Sequence, residues 1–156
     1  MSKSKRETVA DWLMVLGAAA LFGSLFLTWS HQFSAAFLAR WGGSDALANV
    51  PRNPTAWELY SVADALLALV AVGLALLALR GRRAGRLVIL LMLAGALAFT
   101  LHALGTPATN GALLFDPNFD GRGYSPNSPS AGIGETVAIV GLAMAFVGLG
   151  LSFAAD

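Results

Sequence analysis

Apolar positions along this chain fall into four long runs separated by polar segments. Trp12 to Trp29 carries no charge over 18 residues, and Ala65 to Leu79 adds 15 more. Helical continuation back through Trp57 to Asp64 extends the second run to 23 residues. Leu87 to Leu104 gives 18, broken only by Thr100 and His102, and Thr136 to Ala154 gives 19. An α-helix rises about 1.5 Å per residue, and a hydrocarbon core ~30 Å thick takes about 17 to 25 residues to cross. The pattern therefore predicts four membrane-spanning helices, over about 9–29, 57–79, 87–105 and 134–154. Period-two alternation is absent from these runs, and a helix satisfies its own backbone in lipid, so strands are not expected there.

Composition supports lipid as the solvent: 56% of the residues are hydrophobic and 12% charged, against about 25% charged in soluble domains. The predicted fold class is all-α, a four-helix transmembrane bundle running up-down-up-down as a single domain over 1–156. Lys3, Lys5 and Arg6 precede the first run like the start of a signal peptide. That run is longer than such segments, and Ser30-His31-Gln32 follows Trp29 in place of a small-residue cleavage site.

Basic residues set the orientation. Lys3, Lys5, Arg6, Arg80, Arg82, Arg83 and Arg86 fall on one side, and Arg40, Arg52 and Arg122 on the other. The richer side belongs in the cytoplasm, which places both termini there and the long loops, about 30–56 and 106–133, outside. The localisation implied is a bacterial plasma membrane, with the lipid bilayer as the first partner. Trp29 and Trp57 are read as outer-interface aromatics and Trp12 as an inner one. The short basic turn Arg80–Arg86 makes the second and third helices antiparallel neighbours. Its arginines suit anionic lipid.

Gly141, Ala145, Gly148 and Ser152 recur at spacings of four, three and four. Such a small-residue face permits close helix approach, either as a seam inside the protein or as a dimer interface. In the first outer loop Phe33, Phe37, Leu38 and Trp41 share a helical face, as in a short helix lying flat in the headgroup region. Thr55-x-x-Glu58 has the spacing of a capping box, which gives Glu58 a structural role.

Ionisable residues within a membrane suggest function. Asp64 lies seven residues into the second helix and His102 fifteen into the third, which puts both roughly 10 Å inside the outer surface. An Asp64–His102 pair follows, either titrating or holding a cation, or simply locking two helices together. His31 and Glu135 could complete an outer cluster, although Glu135 near a helix N-terminus also suits the helix dipole. Asp116-Pro117-Asn118-Phe119-Asp120-Gly121 matches the first half of a calcium loop. There Asp116, Asn118 and Asp120 would be ligands, but the twelfth position is Asn127 instead of glutamate.

The sequence has no cysteine and two histidines, which argues against thiolate metal sites, disulfides and a structural zinc. Phosphate-binding, nucleophile-elbow and dinucleotide motifs are missing. No catalytic residue, cofactor (calcium apart) or nucleic-acid partner is expected.

Ser24-Leu25-Phe26-Leu27-Thr28-Trp29, a loop, then Trp57 with Asp64 seven residues on is similar to small uncharacterised four-helix membrane proteins of high-GC bacteria. Their first helix often ends Leu-Pro-Trp; Thr28 stands here for the proline. The resemblance covers about the first half of the chain and implies the same topology, with no activity to transfer. Tetraspan junction proteins of the claudin type share the four-pass plan, but their paired-cysteine loop signature is missing. The leading functional expectation is a non-enzymatic accessory or scaffold subunit that binds another membrane protein or itself. The alternative is an oligomeric transporter or channel using Asp64 and His102.

Overall fold

A computed structural model describes residues 3–43, 51–80, 83–106 and 127–154. The chain is mostly helical, with six helices among the described residues: α1 (Lys3–Ser24), α2 (Ala35–Trp41), α3 (Ala56–Leu59), α4 (Ser61–Arg80), α5 (Arg83–Gly105) and α6 (Ile133–Phe153). Two segments, Gly85–Gly105 and Ile133–Phe153, are long and apolar enough to cross a membrane. The apolar stretch of α4, Val62–Ala78, is shorter. Two strands, β1 (Ser30–Phe33) and β2 (Asn127–Ala131), pair antiparallel.

Ser24 ends α1 earlier than the apolar run does. Its hydroxyl donates back to the Leu21 carbonyl at 2.6 Å. Its own carbonyl accepts from the Trp29 indole at 2.7 Å and from the Leu27 N–H at 3.1 Å. The last turn tightens to three-residue spacing through Leu25 and Phe26, and the chain leaves extended. Trp29 N–H then meets the Pro54 carbonyl at 3.0 Å. The second apolar run is also divided. Thr55 and Glu58 form the expected capping box, the Glu58 carboxylate accepting the Thr55 N–H at 2.8 Å. It opens only the single turn of α3, and α4 starts afresh after Tyr60, whose backbone is non-helical.

α1 and α6 run antiparallel and are the most intimately packed pair among the described elements. Gly17 backs onto Gly141 and Ala145, and Gly148 onto Ala10 and Met14. A Cβ at Gly141 would stand 2.8 Å from both the Gly17 carbonyl oxygen and the Leu21 nitrogen. The small-residue face of α6 is thus a seam inside this chain. α4 packs on α1 and α5 on α6, while α4 and α5 touch each other more loosely. The core among these helices is Leu21, Leu25, Leu74, Leu93, Leu142 and Leu149, with alanines between.

The sheet was not expected from the loop sequences. It joins the segment after α1 to the segment before α6, with Ser30 opposite Ala131, His31 opposite Ser130 and Phe33 opposite Asn127. Register slips between His31 and Phe33, across from Pro129, which has no N–H to offer a ladder. The expected interfacial helix is the seven-residue α2. Phe33 belongs to β1 and stacks on Phe37 at 5.3 Å. Both rings are buried, so these two turn into the protein.

Candidate functional site

The C-terminal ends of α1 and α5 and the N-terminal ends of α4 and α6 meet around three rings. Trp29, held by its indole bond to Ser24, lies 6.1 Å from Tyr60 and 6.5 Å from Phe99, and Tyr60 meets Phe99 edge-on at 5.2 Å. Trp29 also fills the space that a side chain at Gly134 would need. This tryptophan is fully buried; it ties α5 and α6 to the α3–α4 junction and is not an interfacial anchor. Trp57 and Trp12 are exposed.

Near this plug two carboxylates are buried without a partner. Asp64 sits in the first turn of α4 and Glu135 in the first turn of α6. Both are 0% exposed, and among the described residues no hydrogen-bond partner reaches any of their four oxygens. Comparison with Glu58 is instructive, since that carboxylate also lies in a first turn but caps its helix. Glu135 follows a glycine N-cap, Gly132, and leaves the cap unfilled. A bare charge in an apolar setting is expensive, and a neutral group much less so. The arrangement therefore suits a proton or a donor brought from outside the described residues.

Asp64 and His102 do not form the expected pair. His102 is exposed, and its Nε2 lies 3.3 Å from the Thr106 hydroxyl. The reason is angular. Ala96, Thr100 and Ala103 face the interior and are buried, and two residues beyond Thr100 a helix has turned about 200°. Thr100 itself is spent on the Ala96 and Leu97 carbonyls, at 3.0 and 3.1 Å.

His31 is likewise outside any cluster with Glu135. It is exposed on β1, with Nδ1 2.8 Å from the Asn53 side-chain oxygen. Asp116, Asn118 and Asp120 lie outside the described residues. Among the described residues no group of three or more histidines and carboxylates could hold a metal.

The feature that sequence reasoning missed is a groove of about 290 Å³ between α4 and α5. Ala63, Leu66, Leu67 and Val70 form one wall; Met92, Gly95, Ala96 and Phe99 form the other. Gly95 was its one available signal, because a side chain there would meet nothing within 4 Å. Set against protein-family models, curated proteins and solved structures, the chain matches none of them.

Proposed function

We propose that this chain is a four-helix transmembrane bundle of a bacterial plasma membrane, α1, α4, α5 and α6 running up-down-up-down with both termini cytoplasmic. In this reading it is a non-enzymatic accessory or scaffold subunit that binds another membrane protein or a second copy of itself. The observation that carries the role is the filling of the interior. Between the four long helices the filling is mainly leucine and alanine with the Trp29 plug, interrupted by Ser24, Asp64, Thr100, Glu135 and Ser152, so hydrocarbon contact dominates the interior. A protein of this kind works through its surface. That surface suits lipid: Val62 and Leu91 are about three-quarters exposed, and Leu69, Leu87, Val140 and Val147 more than half. Apolar area on this scale is unfavourable in water.

Purification of the full chain in mild detergent tests the role. A stoichiometric companion, or a defined homo-oligomer, is the expected result. A lone monomer at every detergent concentration, with no companion by mass spectrometry, sinks the accessory reading.

Transport is the second reading, favoured by the two unpartnered carboxylates. It predicts ion or proton flux in proteoliposomes that Asp64→Asn or Glu135→Gln abolishes while the fold survives. Flux equal to that of empty vesicles removes it.

A further inference from the structure

We infer that the α4–α5 groove is a lipid site, taking one hydrocarbon chain of an outer-leaflet phospholipid whose polar end lies beside His102 and Thr106. The inference rests on the membrane-spanning reading and is independent of the accessory role.

Size decides the occupant. The walls run from Ala63 to Val70 on α4 and from Met92 to Phe99 on α5, eight residues each, a rise of about 10 Å from first to last. A partner helix with its side chains, about 10 Å across, would occupy roughly 800 Å³ over that length. The groove offers about 290 Å³, so a helix could not enter it and could reach in only with separate side chains, whereas one continuous chain can follow its length. Counted at ~30 Å³ per water-sized group, that space takes about ten methylenes, a number that also matches its length. The walls are hydrocarbon throughout, so a polar occupant has nothing to bond.

Position decides the orientation. Ala63 lies in the first turn of α4, and Phe99 lies in the second half of the antiparallel α5, so the groove belongs to the outer half of the helices. Gly95, Phe99, His102 and Thr106 follow at steps of four, three and four, a single stripe of a 3.6-residue helix. Its apolar lower part lines the groove, and its polar upper part is exposed. Thr106 continues the helical path, its N–H 2.9 Å and its hydroxyl 2.8 Å from the His102 carbonyl oxygen. His102 and Thr106, bonded to each other at 3.3 Å, thereby gain a role: they stand where a chain in the groove would end in its headgroup.

Native mass spectrometry of the full chain tests this, after delipidation and addition of a palmitoyl-oleoyl phospholipid. One retained lipid per chain is expected. Gly95→Leu, whose Cβ meets nothing within 4 Å, should lower that occupancy at least fivefold with the melting temperature kept, and His102→Leu about threefold. Gly23→Leu, also in open space, serves as the control and should retain the lipid. Equal retention in wild type and Gly95→Leu overturns the site, and equal retention in His102→Leu overturns the headgroup placement. Since the chain has no cysteine, Gly95→Cys supplies a unique thiol. Efficient disulfide crosslinking between two copies through it would assign the groove to a protein partner and overturn the lipid. Release from membranes by carbonate alone would instead sink the membrane-spanning reading on which the site depends.

Discussion

α1 and α6 stand at opposite ends of the sequence and form the tightest contact among the described elements, whereas α4 and α5, separated only by residues 81–82, leave a groove between them. Chain proximity makes two helices neighbours, but side-chain size decides how near they come. Along the seam, Gly17, Gly141 and Gly148 put backbone against backbone. In hydrocarbon, where burial against lipid gives little drive, such close packing carries helix association. Along the groove, Leu66, Met92 and Phe99 line the space between the helices, and Gly95 faces open space instead of a partner.

The largest effect should come from blocking the seam. Gly141→Leu drives a side chain into the backbone of Gly17 and Leu21, atoms that cannot swing aside, so the loss should exceed about 3 kcal/mol. Thermal unfolding in detergent should show a fall of roughly 6–12 °C or more, or no folded protein. A variant within 2 °C of wild type would mean the two helices do not touch as described.

Next comes Leu142→Ala, which empties the layer beside the seam. Leu142 is fully buried, and the change should destabilise by about 2–3 kcal/mol. Leu66→Ala, on the half-exposed groove wall, should alter the melting temperature much less. Similar losses in the two variants would erase the distinction between the regions.

These contrasts also show what the sequence made readable. Depth was legible: a rise of 1.5 Å per residue puts Asp64, His102, Glu135 and Trp29 near one end of the long helices. Azimuth was only partly so. The spacing of Gly141, Ala145, Gly148 and Ser152 announced a close-packed face, but its partner, the Ala10–Gly17 side of α1, carries a weaker pattern. His102 was assigned to the interior from its depth, although the apolar helix around it has nearly the same residues on every side. Which side turns inward is settled by neighbouring helices. The β1–β2 pairing was hidden for another reason. Its strands are four and five residues of mainly polar sequence, and their register rests on backbone bonds that any side chains would permit.

A smaller effect tests the local signal that was plainest in the sequence. Glu58→Ala removes the acceptor of the Thr55 N–H at an exposed position, where a hydrogen bond is worth about 1 kcal/mol. The melting temperature should fall by roughly 2–4 °C. No change would mean that the turn at α3 is held by the Trp29–Pro54 and Thr28–Thr55 backbone pairing alone.

The smallest and sharpest comparison uses one substitution on both faces. Alanine is favoured over glycine within a helix by about 0.8–1.0 kcal/mol, and that preference should act equally at Gly95 and Gly141. At Gly95 nothing opposes it, since the added methyl meets no atom within 4 Å. Gly95→Ala should therefore leave stability unchanged or raise it by up to about 1 kcal/mol. At Gly141 the same methyl stands 2.8 Å from two backbone atoms, and overpacking of about 1–3 kcal/mol should outweigh the helical preference. Opposite signs in the two melting curves would establish that one helix pair is full and the other open. If Gly95→Ala also destabilises, the groove is closed in the folded protein, and a lipid chain has no room to enter.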